Sequence, residues 1–229
     1  MPDHPQSDLF DTDLRASGSA NENATHAGAL DAILPGVDVC RAMAAPAQLQ
    51  GVINDVLADS PLRHMQTSRG QTMSVAMSNC GSVGWVSDRR GYRYSPDDPL
   101  TGKPWPAMPQ VLQALATNAA ARCGYAHFHP DACLINQYLP GARMGAHQDR
   151  DECDFSQPIV SVSLGLPARF FMVGPERKGR STPIDLESGD VVVFGGPARL
   201  FFHGVRPLKP GSDRVFGGQR INLTFRCTS

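Results

Sequence analysis

The stretch Arg220-Ile221-Asn222-Leu223-Thr224-Phe225-Arg226 alternates apolar and polar residues without a break. In an extended backbone successive side chains point to opposite faces. Ile221, Leu223 and Phe225 therefore share one face, and Arg220, Asn222, Thr224 and Arg226 share the other. This run closes a series of short β-rich segments punctuated by Gly and Pro, at 133–138, 159–164, 169–173, 181–186, 190–194, 199–203 and 219–226. So many short strands in about a hundred residues predict a sandwich or jelly roll. The expected class is α+β, mainly β. A double-stranded β-helix (jelly roll) forms the core over residues 131–229, and two helices flank it.

Two features upstream of that strand bear chemistry. In Ala146-His147-Gln148-Asp149-Arg150-Asp151-Glu152, His147 and Asp149 fall on one face of an extended chain. The best third partner is His203, in Leu200-Phe201-Phe202-His203-Gly204. Two histidines and one carboxylate on one side of a metal leave the other side open, as in non-heme Fe(II) oxygenases. His127-Phe128-His129-Pro130-Asp131 offers a competing set, but Pro130 makes it a poor ligand strand. The second feature is the Arg220/Arg226 face. Guanidinium groups bind carboxylates bidentately, so two arginines bracketing Asn and Thr suit a dicarboxylate. Asn136 and Tyr138 share a face of Leu134-Ile135-Asn136-Gln137-Tyr138 and are placed to donate to the same ligand.

The chain has 229 residues, 41% of them hydrophobic, enough for one medium-sized domain. No run approaches the ~18 apolar residues of a membrane span, so no membrane association is expected. The start lacks the basic and apolar regions of a signal peptide. Six cysteines form no C-x-x-C pair, and they read as reduced thiols of a cytoplasmic protein. Net charge is −1, but residues 1–36 hold six acids and one base, which leaves a mildly basic body. Residues 1–28 have no apolar period and read as a disordered acidic tail. Residues 29–229 form the single domain. Ala29 to Val39 reads as a short strand with a turn at Pro35-Gly36. Leu49, Val52, Ile53, Val56 and Leu57 mark one amphipathic helix, and residues 108–122 a second. Between them, residues 60–107 are loop-rich and hold both tryptophans, with Tyr92, Tyr94 and three arginines nearby. That composition suits a lid or binding surface for bases and phosphates. No heptad or long apolar stripe is visible, so a monomer is expected.

Taken together these stretches resemble the AlkB family of bacterial Fe(II)/2-oxoglutarate-dependent DNA-repair dioxygenases. The likeness rests on Thr72-Met73-Ser74-Val75-Ala76-Met77, Lys103-Pro104-Trp105-Pro106-Ala107-Met108-Pro109 and Pro130-Asp131-Ala132-Cys133-Leu134-Ile135-Asn136. It continues through His147-Gln148-Asp149, residues 160–168 and the Arg220–Arg226 strand, covering about residues 50–227. The resemblance implies that His147, Asp149 and His203 bind Fe(II). It implies that Arg220, Asn136 and Tyr138 hold the distal carboxylate of 2-oxoglutarate, with Asn222 and Arg226 positioning its chelating end. Residues 60–107 would be a nucleotide-recognition lid. In it Trp85 and Tyr92 hold the damaged base and Met77 lies near it, while Asp151, outside the lid, contacts its edge.

The implied activity is oxidative dealkylation of 1-methyladenine or 3-methylcytosine, with hydroxylation of the methyl group and release of formaldehyde. The partners are dioxygen and alkylated single-stranded or flipped-out DNA, with RNA open as a second substrate. The acidic tail, the small-residue loop 141–146, Gln71 and the basic stretch 174–181 depart from the family pattern. A Zn-dependent hydrolase could use the same three ligands but has no use for the Arg220/Arg226 fork, and in a non-catalytic binding module of cupin-like shape loss of metal would leave binding unaffected. A related oxygenase acting on a protein or metabolite would share the triad and the arginines but lack the aromatic sandwich.

Overall fold

A computed structural model describes residues 28–229. The tail expected over residues 1–28 lies, apart from Gly28, outside the described residues. The chain begins with a hairpin of β1 (Leu30–Leu34) and β2 (Val37–Cys40), followed by α1 (Pro46–Asp59). The turn falls at Pro35-Gly36 as expected, with Gly36 at φ +82. The segment is thus two strands rather than one. Next come β3 (Arg63–Gln66), β4 (Thr72–Gly81) and a separate hairpin of β5 (Gly84–Asp88) and β6 (Gly91–Ser95). Then α2 (Gln110–Arg122) leads into β7 (Ala132–Tyr138), β8 (Met144–His147), β9 (Ile159–Gly165) and β10 (Ala168–Gly174). The chain continues through β11 (Thr182–Leu186), β12 (Val191–Phe194), β13 (Phe202–Val205) and β14 (Arg220–Arg226).

The strands form an eight-stranded sheet, in the order β1-β2-β12-β9-β14-β7-β4-β3, and a four-stranded sheet, β11-β10-β13-β8. All the pairings are antiparallel. The two sheets face one another, as expected of a jelly roll. Both faces of the large sheet are covered, and this explains its sequence. Ile221, Leu223 and Phe225 of β14 pack with Leu49, Ile53 and Leu112 of the two helices. Val191 and Val193 of β12 join them, while Val192 and Phe194 turn to the space between the sheets. A strand buried on both sides reads as a continuous apolar run, as Val191-Val192-Val193-Phe194 does. Each such Val or Leu side chain contributes roughly 1.5–3 kcal/mol by leaving water.

On β14 the polar face is buried as well, and no residue of that strand is exposed. It borders the interior between the sheets instead of solvent. One expected strand is displaced. The sequence predicts β structure over residues 199–203, but Gly196–Ala198 forms a 3-10 turn that carries Arg199 inward, and pairing starts at Phe202. The Gly195-Gly196-Pro197 sequence explains the shift, since Pro197 cannot donate to a ladder.

Candidate metal and anion site

Strand register brings the two histidines together. β13 pairs with β8, and His203 stands directly opposite His147. Gly204 permits this approach, because a Cβ there would lie 2.6 Å from the Met144 carbonyl oxygen and 2.7 Å from Phe171 Cζ. Gly204→Ala is therefore expected to push β8 away from β13 and to weaken metal binding on the order of tenfold, as loss of ligand support does. Metal titration at unchanged secondary structure tests this, and an unaltered affinity refutes it.

Asp149 follows β8 and lies between the rings. Its Oδ1 is 3.8 Å from His147 Nε2, and its Oδ2 is 3.8 Å from His203 Nε2. One ligand atom from each residue falls within 4.8 Å of the others, a spacing able to hold a metal ion. Among the described residues no other group of His, Cys, Asp and Glu is so arranged. His127 and His129 are exposed, so the competing set does not assemble. The tautomers are set by the backbone. His147 Nδ1 lies 2.9 Å from the Gly145 carbonyl oxygen, and His203 Nδ1 lies 2.9 Å from that of Phe201. With Nδ1–H donating, both Nε2 lone pairs are free. Burial, reinforced by His147, pushes His203 down to about 4, so it is neutral at pH 7. Burial acts to raise Asp149, but Arg226, His203 and His147 outweigh it and hold the carboxyl well below its usual range.

Behind the triad is a cavity of about 50 Å³, whose lining includes Asn136, Tyr138, Arg220, Asn222, Thr224 and His203. Pairing of β14 with β7 places Arg220 opposite Tyr138 and Asn222 opposite Asn136. The Arg220 guanidinium sits 4.9 Å from the Tyr138 ring centroid. Asn136 Nδ2 donates to Asn222 Oδ1 at 3.2 Å, and Asn222 Nδ2 donates to Ser161 Oγ at 2.8 Å. Arg220 is 1% exposed, and its Nη2 donates to Ser163 Oγ at 2.9 Å. Among the described residues its Nε and Nη1 have no hydrogen-bond partner, nor has Nη1 of Arg226. A buried guanidinium without a carboxylate is costly unless an anion completes it. These donors fit a carboxylate ligand beside a metal.

In front of the triad a second cavity, of about 420 Å³, is lined by Met77, Trp85, Tyr92, Asp149, Asp151 and Arg177 among others. His147, Asp149 and Arg226 line both cavities and so stand in the wall between them, while His203 faces the smaller one. The Trp85 and Tyr92 rings stack at 5.4 Å and 18°. Trp85 Nε1–H donates to Asp151 Oδ2 at 2.9 Å. Met77 is fully buried, and Tyr92 is half exposed.

All twelve residues singled out in the sequence line one or the other cavity. Sequence reasoning missed Ser161 and Ser163, whose hydroxyls meet Asn222 and Arg220. It also missed Arg177, from the basic stretch 174–181, and a buried group formed by Tyr94, Glu152 and Arg199. The serines had a signal in the alternation of Val160-Ser161-Val162-Ser163; Arg199 had none.

The model of the 2OG-Fe(II) oxygenase superfamily matches residues 36–226. The chain is 56% identical over 182 residues to the alpha-ketoglutarate-dependent dioxygenase AlkB of Escherichia coli, covering 80% of this chain and 84% of that protein. It is 32% identical over 130 residues to the human nucleic acid dioxygenase ALKBH1, covering 56% of this chain and 33% of that protein. Among solved structures, that of OsALKBH1 superposes with a TM-score of 0.75 at 28% identity, covering 86% of this chain and 99% of the other.

Proposed function

The chain belongs to the 2OG-Fe(II) oxygenase superfamily, and from that premise we propose that it repairs N-alkylated bases in DNA by oxidative dealkylation. It is an Fe(II)/2-oxoglutarate-dependent dioxygenase. The observation that carries the reading is the buried Arg220, with free donors beside a two-histidine, one-carboxylate triad. His147, Asp149 and His203 hold the iron. Arg220, Asn136 and Tyr138 hold the distal carboxylate of 2-oxoglutarate, while Asn222 and Arg226 orient the end next to the metal. When bound, iron and 2-oxoglutarate together supply the oxidation of an N-alkyl C–H bond by dioxygen, with decarboxylation of the co-substrate.

The chain's own work is to bind, orient and exclude water. Residues 60–107 act as a nucleotide-recognition lid, and Trp85 and Tyr92 present aromatic faces to the base. A methylated ring bearing positive charge is drawn to such faces and to the Asp151 carboxylate. Met77 closes the floor of that cavity. A base within a duplex cannot reach the triad, so the substrate is single-stranded or flipped out. Candidate lesions are 1-methyladenine and 3-methylcytosine in DNA, with RNA as a second substrate class. The hydroxymethylated base then releases formaldehyde. Six free thiols support a cytoplasmic setting, and among the described residues no helix is long and apolar enough to cross a membrane. We take the working form to be a monomer.

The test is a repair assay with Fe(II), 2-oxoglutarate, air and a single-stranded oligonucleotide carrying 1-methyladenine. Loss of the methyl mass with matching formaldehyde and succinate is the expected result. Succinate without change in the strand would keep the oxygenase and remove the lesion; neither product would defeat the whole reading. Trp85→Ala should raise KM for the oligonucleotide about 10- to 100-fold, since a stacked base is worth ~1–3 kcal/mol. Uncoupled 2-oxoglutarate turnover should persist in that variant. An unaltered KM would point to a substrate other than a base.

A further inference from the structure

Glu152 lies three residues beyond Asp149, and its side chain is 1% exposed. Donors from three separate elements converge on it. Tyr94 Oη donates to Oε1 at 2.6 Å, Arg226 Nε approaches the same oxygen at 3.3 Å, and Arg199 Nη2 donates to Oε2 at 3.0 Å. Arg199 is anchored in turn, with Nη1 donating to the Asp149 carbonyl oxygen at 2.7 Å and Nε to that of Gln157 at 2.8 Å. Arg226 Nη2 donates to Asp149 Oδ2 at 2.9 Å. An unbroken line of polar contacts therefore runs from Tyr94 through Glu152 and Arg226 to the triad carboxylate. Tyr94 stands on β6 directly opposite Trp85 on β5, in the hairpin that carries the aromatic surface.

This group is more than filler. Two guanidiniums and two carboxylates balance in charge, yet an apolar cluster of equal volume would serve stability as well or better. What the ionic arrangement adds is direction, because each hydrogen bond fixes the angle of the next group. Burial pushes the Tyr94 phenol far above its ordinary range, so it remains a donor at all working pH values. Any displacement of the Tyr94 phenol is passed to Glu152 Oε1, the oxygen that Arg226 Nε also approaches, while Arg199 holds Oε2.

We propose that Glu152 is a positioning residue that couples the aromatic hairpin to the metal carboxylate, so that base occupancy and metal binding reinforce one another. The inference rests on the function proposed above. Coupling of this kind is reciprocal: the factor by which the base tightens the metal equals the factor by which the metal tightens the base.

The test uses the full chain without oxygen, with Co(II) in place of iron and with 2-oxoglutarate present. Co(II) affinity is titrated with and without a single-stranded oligonucleotide carrying 1-methyladenine, in wild type, Glu152→Gln and Tyr94→Phe. The wild type is expected to bind Co(II) about tenfold tighter with the oligonucleotide, within the usual range of coupling between sites. Both variants should bring that ratio close to one. Tyr94→Phe removes only the lid-side donor and carries the test alone if Glu152→Gln fails to fold. Lower affinities with an unaltered ratio would overturn the proposal and leave Glu152 a structural ion-pair partner, as would a wild-type ratio of one. A wild type that binds neither Co(II) nor the oligonucleotide would instead defeat the dealkylase reading itself.

Discussion

Arg220→Met will weaken 2-oxoglutarate binding by roughly 10²–10⁴ while leaving the metal-free fold as stable as the wild type or more so. The two effects have one cause. Arg220 is buried, and burial lowers its pKa, a sign that the interior disfavours its charge. Among the described residues it meets Ser163 and the Tyr138 ring but no carboxylate. Replacing an uncompensated buried charge with an apolar side chain of similar length is neutral or stabilising by ~1–4 kcal/mol. Removing one partner of a buried, hydrogen-bonded ion pair costs about 3–5 kcal/mol, or roughly 10²–10⁴ in affinity. Calorimetric titration of 2-oxoglutarate and thermal melting of the metal-free protein measure both. Arg220→Lys should lose most of the binding too, since an ammonium keeps the charge but not the planar pair of donors. Binding within tenfold of wild type in Arg220→Met would make this arginine structural and leave the co-substrate without its anchor.

Asp149→Asn is expected to act on stability in the opposite direction. Its carboxylate lies between two imidazoles and accepts from Arg226 Nη2. The amide keeps the volume and removes the charge. Outer partners of metal ligands already carry 10- to 100-fold in affinity, so loss of a ligand itself should exceed about a hundredfold and end repair. Arg226 would retain only Glu152 as an ionic partner, and the metal-free protein should lose about 1–3 kcal/mol. The folded-state pKa of Asp149 lies below its unfolded value. Its stabilisation is therefore complete above about pH 4 and disappears as pH falls further. Asp149→Asn should lack that acid-side loss. Metal titration and melting against pH provide the readouts, and iron affinity within tenfold of wild type would remove Asp149 from the ligand set.

These outcomes depend on features of unequal visibility in the sequence. The alternation of residues 220–226 reports one face against another, and both faces are where it put them. It could not show that the polar face is enclosed, because enclosure depends on β10 and β13 of the opposite sheet. His147 and Asp149 were legible from spacing alone. His203 required register between two strands far apart in the chain. Arg199 reads as part of a strand because Leu200-Phe201-Phe202 resembles one, while the preceding 3-10 turn governs its direction. The Tyr94–Glu152–Arg199 group was not legible at all, since its members come from three elements with no common period.

The place of β14 also bears on how the protein is made. It sits in the middle of the large sheet, bonded to β9 on one side and β7 on the other. Translation delivers both neighbours well before β14. Until it arrives, the nascent chain holds two bare strand edges of the kind that recruit foreign strands. Insertion of this one segment closes the sheet and, in the same event, supplies Arg220, Asn222 and Arg226 to the interior. Emergence of the Arg220-lined cavity is thus tied to completion of the sheet, and a ribosome stalled before residue 220 carries a chain with neither.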